Sequence, residues 1–172
     1  MISLIGFIFL CSSIFSSLLL VIWNSYKYDT LNLYKFNLIT RTSTIFALLS
    51  FFSLMFAYVT SDFSNYNVFQ NSHSSKPLIY KIAGTWGNHE GSMLMWVSIM
   101  SLYNFLLSLN KKLDEKFMRS TIVVQTILFL IFTFFVIFAS NPFLVNSIDV
   151  NEGLGLNPIL QDPALAIHPP LL

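Results

Sequence analysis

The sequence predicts an all-α integral membrane protein with about four transmembrane helices, followed by an irregular or amphipathic C-terminal tail. Only 10% of the 172 residues are charged and 55% are hydrophobic, whereas soluble domains carry about 25% charged residues. The chain therefore has too few polar groups to cover a surface that faces water. Four long stretches without any charged residue support the same fold class.

These four uncharged stretches are the predicted transmembrane spans. A helix needs about 20 mostly apolar residues to cross the roughly 30 Å hydrocarbon core of a bilayer. Residues 1–140 then form the four-span region, and residues 141–172 form the tail. The first stretch lacks the charged start and the cleavage site of a signal peptide, so we expect it to remain as an anchor. The predicted spans are residues 2–23, 43–60, 92–109 and 121–139.

The distribution of Lys and Arg predicts the orientation of the spans, because loops that stay inside carry most of the positive charge. We expect both termini and the middle loop on the outer side, which is the intermembrane space in a mitochondrion and the periplasm in a bacterium. His73, His89 and His168 all fall on that side. Seven cations follow the first or third span and two follow the second: Lys27, Lys35, Arg41, Lys111, Lys112, Lys116 and Arg119, against Lys76 and Lys81.

Composition argues against several other classes of function. A net charge of +1 does not provide the basic surface that nucleic acids require, so we expect no nucleic-acid binding. The single cysteine, Cys11, cannot form a disulfide or a zinc site within the chain. The sequence contains no Gly-rich phosphate loop and no C-x-x-C motif. Its 18 phenylalanines are typical of AT-rich genomes, which include many organellar ones.

The stretch "GTWGNHEGSM" before the third span contains the first candidate site residues. Asn88 is suited to cap the helix that follows, and Glu90 would lie in its first turn, where a negative charge favours the helix dipole. Trp86 and Trp96 are suited to the headgroup region. A helix start explains these features but does not require His89 beside Glu90, so a functional role for the pair stays open.

The tail contains the second candidate, His168, which precedes two prolines. Proline restricts the preceding residue to an extended backbone, which would fix the position of the imidazole. A neutral imidazole held in this way is suited to a metal or a haem iron. By spacing alone, a histidine before proline is more often an ordinary loop residue than a ligand. His73, in "NSHSSK", is predicted to be a solvated loop residue.

Three stretches together resemble the N-terminal part of the CcmF family, the haem lyase component of cytochrome c maturation system I. They are "FSNYNVFQ" with "YKIAGTWGNHEGSMLMW", "SNPF" after the fourth span, and "LNPILQDPALAIHPPLL" in the tail. Their order and their spacing relative to the spans also fit this family. The stretches look most like mitochondrially encoded split forms, which implies a location in the mitochondrial inner membrane.

The resemblance implies a function in positioning haem b, the substrate, for covalent thioether attachment to apocytochrome c. His168 is similar to the first of two outer histidines that act as axial haem ligands in the family. Trp86, His89 and Glu90 are further candidates for contact with haem or apocytochrome c. The implied partners are a haem chaperone, apocytochrome c, a small thiol-handling protein and the surrounding membrane lipid.

The resemblance also implies parts that these 172 residues do not contain. Family members have a tryptophan-rich "WWD" segment and a second outer histidine, which together complete the haem site. These residues are therefore either the product of a split gene or a fragment of a longer chain. We favour the split form, in which other CcmF fragments supply these parts, and we expect no activity from this chain alone.

A non-catalytic structural subunit of a mitochondrial respiratory complex is the alternative function. Phe-rich chains with several spans are common in those complexes. The predicted spans contain no Lys or Glu, which a proton-pumping subunit would need. The two paired motifs favour the haem lyase over this alternative.

Overall fold

A computed structural model describes residues 1–26, 32–147 and 150–155 of the chain. These residues form an all-helical protein, and four of the helices are long and apolar enough to cross a membrane. The predicted fold class is confirmed. The described residues include one isolated β-bridge, between Asn65 and Val145. In chain order the helices are α1 (Ile2–Tyr26), α2 (Leu33–Val59), α3 (Tyr66–Asn71), α4 (Leu78–Gly84), α5 (His89–Leu109) and α6 (Glu115–Ala139).

Two of the long helices begin earlier than the uncharged stretches predict: α2 already begins at Leu33, and α6 begins at Glu115. Asn32 and Asp114 cap these helices, because each side chain accepts a hydrogen bond from a backbone N–H of the first turn. Hydropathy marks only the apolar part of a helix. The capped polar turns that precede the apolar part therefore lie outside what hydropathy predicts.

The four long helices pack as an antiparallel bundle. Helix α1 packs against α2, α2 against α5, α5 against α6, and α6 packs back against α1. Large apolar side chains point away from the bundle, among them Phe15, Ile45 and Phe138, which are 64%, 50% and 82% exposed. Such a surface is suited to lipid tails, while the helices satisfy their own backbone hydrogen bonds.

Hydroxyl groups line the contacts between the helices. The Ser17 and Ser43 hydroxyl oxygens lie 2.7 Å apart between α1 and α2. Thr44 on α2 donates to the carbonyl oxygen of Ser101 on α5 at 2.8 Å. Small hydroxyl residues let helix backbones approach closely in a membrane and add hydrogen bonds between them. The bundle is therefore held together by small polar contacts as well as by apolar packing.

The two ends of the bundle differ in structure. We call the end that holds residues 61–91 the His89 end, and the end that holds residues 110–114 the Arg41 end. At the His89 end, α3 and α4 lie between α2 and α5 in the chain. Helix α4 packs against α2, and Tyr66 at the start of α3 donates its backbone N–H to the Leu144 carbonyl. Phe143 lies against α1, where a Cβ atom on Gly6 would be only 2.3 Å from its ring.

Candidate functional site

Asn88 organises the corner between α4 and α5. It has an extended backbone, and its Oδ1 accepts a hydrogen bond from the Gly91 N–H at 2.7 Å. Its Nδ2 donates to the Gly84 carbonyl at 2.7 Å and to the Tyr58 hydroxyl at 2.9 Å. The predicted helix cap is confirmed, and the same amide also joins the corner to α2. Glu90 lies in the first turn of α5, as expected.

Gly91 allows this corner to close. A Cβ atom at this position would lie 1.7 Å from the carbonyl oxygen of Thr85. No side chain fits at such a distance, because the neighbour is backbone and cannot move aside. Glycine is therefore required at position 91 by a close approach of two backbone segments within this chain.

Asn67 on α3 connects the corner to the rest of the His89 end. Its side chain is buried, and its Nδ2 donates to Asn88 Oδ1 at 2.9 Å and to Glu90 Oε2 at 3.2 Å. The buried Tyr58 hydroxyl donates to the Asn67 carbonyl oxygen at 3.1 Å. Sequence reasoning assigned no role to Tyr58 or Asn67. The only signal was that Asn67 lies within "FSNYNVFQ", one of the stretches that carry the family resemblance.

His89 is exposed, but its ring is held in place from α6. Its Nδ1 lies 2.8 Å from the hydroxyl oxygen of Ser140, the C-cap residue of α6. The Phe135 ring meets the imidazole edge-on, with ring centres 6.4 Å apart and planes at 72°. Ser140 is buried, so this contact fixes the ring against a rigid part of the fold. Its other nitrogen, Nε2, has no hydrogen-bond partner among the described residues.

These residues surround a polar pocket of about 500 Å³. That volume lies within the range of about 300–1,000 Å³ that is usual for ligand sites. Amide side chains supply much of its wall, and no described group of three His, Cys, Asp or Glu side chains could hold a metal ion. The lining residues are Tyr66, Asn67, Gln70, Asn71, Asn88, His89, Glu90, Ala139, Ser140, Asn141 and Leu144.

The predicted site residues are only partly brought together. His89 and Glu90 share the pocket, whereas Trp86 is half-buried and packs against the hydrophobic core beside it. His168 lies outside the described residues, so its predicted role as a haem ligand stays a prediction. His73 lies on a loop, with Nδ1 3.8 Å from Glu152 Oε1.

Residues 150–155 run back along the loop after α3. The Leu154 N–H donates to the Phe69 carbonyl at 2.8 Å, and the Gly155 N–H donates to the Ser72 carbonyl at 3.0 Å. The hydroxyl and the backbone N–H of Ser74 both donate to the Glu152 carboxylate and lower the pKa of that group to about 2. The described part of the tail is therefore held at the His89 end.

Comparison with known proteins identifies the family. Residues 86–172 match the model of the family described as "Cytochrome C assembly protein". The chain belongs to the cytochrome c assembly protein family. The matched range includes Trp86, His89, Glu90 and His168. Within the family, the resemblance to CcmF is also confirmed.

Individual relatives agree with this membership. The chain is 53% identical over 124 residues to the cytochrome c-type biogenesis protein CycK of Rhizobium meliloti, covering 72% of this chain and 18% of that protein. It is 37% identical over 141 residues to the cytochrome c-type biogenesis protein CcmF of Escherichia coli, covering 76% and 22%. Both names describe those relatives as cytochrome c-type biogenesis proteins, and neither describes a subunit of a respiratory complex.

One solved structure has the same fold as the present chain. It is named cytochrome c haem lyase CcmF, has a TM-score of 0.75 and is 25% identical, with 83% of this chain and 25% of that chain covered. The chain spans about one fifth of the length of the curated relatives that it matches. Its multi-pass membrane character is confirmed by the four long apolar helices.

Proposed function

We propose that this chain is the N-terminal subunit of a cytochrome c haem lyase and helps to position haem for attachment to apocytochrome c. The observation that carries the proposal is the family match over residues 86–172, which contains both candidate motifs. The fold supports the proposal because His89 and Glu90 line one pocket, at the end of the bundle where the tail begins.

In this reaction, haem b is the substrate. Each cysteine thiol of apocytochrome c adds across a haem vinyl group, so a carbon–sulfur bond forms and the thiol hydrogen ends on the neighbouring vinyl carbon. The protein contributes by holding the iron and the thiols in a productive orientation. His168 is the proposed axial ligand, and the two prolines that follow restrict its backbone.

The length of the tail permits His168 to act near the pocket. Gly155, the last described residue, is bonded to Ser72 at the His89 end. The thirteen residues from there to His168 could extend to roughly 45 Å. The sequence separation therefore places no restriction on bringing this imidazole to the same end of the bundle.

For the pocket itself, we propose contact with the polypeptide of apocytochrome c. An extended peptide offers both donors and acceptors, which suits a wall rich in amide side chains. Gln70 Oε1 and Asn141 Nδ2 have no hydrogen-bond partner in the described part of the chain. The Glu90 carboxylate would repel a haem propionate at close range, which favours a peptide over that end of haem. Trp86 remains a candidate at the margin of this surface.

The proposal includes partners and a location. Other CcmF fragments would supply the tryptophan-rich segment, a haem chaperone would deliver haem, and a small thiol-handling protein would keep the cysteines reduced. We place the complex in the mitochondrial inner membrane, with both termini of this chain toward the intermembrane space. The distribution of Lys and Arg and the Phe-rich composition support this placement.

Replacing His168 tests the proposed ligand. We expect His168→Ala to abolish mature c-type cytochromes, measured by haem staining of membranes, because the iron loses one axial imidazole. Added imidazole should restore part of the signal. His73→Ala is the matched control, since His73 is a loop residue whose imidazole lies near the Glu152 carboxylate. Cells with this variant should contain normal amounts of mature c-type cytochromes. Normal haem attachment in the His168→Ala variant would disprove the ligand role.

Affinity purification of the intact chain tests the complex. We expect cytochrome c maturation factors to co-purify with it, including a chain that carries the tryptophan-rich segment. A stoichiometric place in a respiratory complex, with no maturation factor retained, would support the alternative function instead.

A further inference from the structure

A second cavity, with both charged and apolar side chains in its wall, lies at the Arg41 end, where α2 and α6 begin and α5 ends. Its volume is about 450 Å³, and its wall includes Arg41, Lys111, Asn37 and Glu115. The cavity also includes Leu109, which is 47% exposed on the apolar surface of the bundle. A cavity that holds charged side chains and meets an apolar outer surface at the end of the spans is located where lipid headgroups lie.

Arg41 gives this cavity a positive charge that the described protein does not neutralise. Its Nε donates to the Ser108 hydroxyl at 3.1 Å, and its Nη2 donates to the Ser108 carbonyl at 3.0 Å. Both acceptors are neutral, and no carboxylate among the described residues forms an ion pair with Arg41. A half-buried guanidinium is most stable with an anionic partner, and its planar group of donors is suited to phosphate.

Among the described residues of its wall, the charged groups leave the cavity net positive. Glu115 is the acidic residue in its wall, but its carboxylate accepts hydrogen bonds from Arg119 at 2.9 and 2.8 Å. The Arg119 guanidinium also lies over the Phe36 ring, 5.1 Å from its centre. Lys111 adds a further cation to the wall. The negative charge of Glu115 is thus already directed to Arg119 and does not offset Arg41.

Asn37 supplies an independent indication of a ligand. Its Oδ1 is buried and accepts no hydrogen bond in the described part of the chain. A buried acceptor left without a donor destabilises the fold. Asn37 lies in the cavity wall, so a small rotation of its amide would present this atom to a ligand hydroxyl. A phosphate without hydrogens could not donate to it. The cavity therefore combines cations for a phosphate with an acceptor for a hydroxyl.

We propose that this cavity binds the headgroup of an anionic glycerophospholipid, with Arg41 and Lys111 on the phosphate and Asn37 on a glycerol hydroxyl. The acyl chains would leave past Leu109 into the bilayer. The site lies at the opposite end of the bundle from the pocket that His89 and Glu90 line, and it does not depend on the proposed function.

Lipid selectivity of the full chain in phosphatidylcholine vesicles tests this proposal. The measured quantity is the association of spin-labelled phosphatidylglycerol with the protein, relative to spin-labelled phosphatidylcholine. We expect the unchanged chain to prefer phosphatidylglycerol. Arg41→Gln should reduce the preference about fivefold, the usual effect of one cation at a membrane surface. Lys111 lies in an exposed loop, so Lys111→Gln leaves the packing intact. This variant should also reduce the preference for phosphatidylglycerol.

Lys116→Gln is the matched control, because Lys116 is an exposed cation at the same end but outside the cavity wall. We expect it to leave the preference unchanged. An equal loss in Lys116→Gln and Arg41→Gln would show a diffuse charge effect and overturn the proposal. No preference in the unchanged chain would also overturn it. Full displacement of the labelled lipid by inorganic phosphate would assign the site to a soluble anion instead.

Discussion

The imidazole Nδ1 of His89 lies 2.8 Å from the hydroxyl oxygen of Ser140, although the two residues are 51 positions apart in the chain. This contact connects the first residue of α5 to the cap of α6 across the top of the pocket. It makes the orientation of an exposed imidazole depend on a buried serine. The motif around His89 is therefore completed by a residue that lies well outside it.

Replacing Ser140 tests this dependence. We expect Ser140→Ala to leave His89 Nδ1 without its partner, so the ¹⁵N chemical shifts of the ring change and the ring samples more orientations. Ser140→Thr keeps a hydroxyl group at this position, so the His89 shifts should equal those of the unchanged chain. Thr133→Ala is the control, because that buried hydroxyl bonds only the Phe129 carbonyl within α6. Identical His89 shifts in Ser140→Ala and the unchanged chain would contradict the prediction.

Asn65 is expected to be among the most sensitive residues at the His89 end. It is fully buried, donates to Ser3 Oγ at 3.0 Å and to the Pro142 carbonyl at 2.9 Å, and accepts from the Val68 N–H. Asn65→Ala removes a helix cap and leaves buried groups unsatisfied. It should lower the free energy of unfolding by about 2–4 kcal/mol.

Unfolding of the reconstituted chain in mixed micelles with increasing denaturing detergent measures this loss. Asn151→Ala is the control, because Asn151 is exposed, and it should change stability by less than about 0.5 kcal/mol. Equal stability of the two variants would mean that the Asn65 contacts contribute nothing net.

Gly91 should not tolerate alanine. The added methyl group would meet the Thr85 carbonyl at 1.7 Å, so the corner between α4 and α5 must open. We expect Gly91→Ala to lower stability by about 1–3 kcal/mol or more, which is the usual cost of overpacking. Gly87→Ala is the control, since Gly87 lies in the same motif without a positive φ. Thermal unfolding distinguishes the two, and a fully stable Gly91→Ala chain would refute the close approach.

The Glu152 carboxylate should titrate well below its ordinary range. Its pKa is about 2, against a usual value of 4.5, chiefly because Ser74 donates to it. A lowered pKa means that the ionised form stabilises the folded tail. This contribution is present above pH 4.5 and is lost as the pH falls through about 2.

The ¹³C shift of the Glu152 carboxyl carbon, followed against pH, measures this midpoint. Ser74→Ala should raise the midpoint toward 4.5. As the pH falls from 4.5 toward about 2, hydrogen exchange of the Leu154 amide should become faster relative to the same amide in an unstructured peptide. In Glu152→Gln that relative rate should not vary with pH. A midpoint near 4.5 in the unchanged chain would contradict the contact with Ser74.

The sequence was sufficient to predict the features that depend on neighbouring residues. Four apolar stretches predicted four spans, and the position of Asn88 before α5 predicted its cap, because both follow from local composition. The starts of α2 and α6 were missed, since capped polar turns add length that hydropathy does not detect. Local pattern therefore determined which helices form but not where each begins.

The pocket depended on contacts that no local pattern contains. Asn67 lies 21 residues before Asn88 in the chain, and the two amides meet only because α3 folds back against α5. An asparagine within the short helix "YNVFQN" carries no sign of such a partner. His89 and Glu90 could be selected by their unusual proximity, whereas Asn67 and Ser140 required the folded chain.

The contacts of Asn65 also determine when the His89 end can form during synthesis. This side chain joins Ser3 in the first turn of α1, which leaves the ribosome before α2, α5 and α6, to Pro142, which follows α6. Helix α1 can enter the membrane early, but its first turn must wait for nearly the whole bundle before gaining its final neighbours. Insertion and tertiary closure are therefore separated in time, and a factor that retains early-inserted helices would act in that interval.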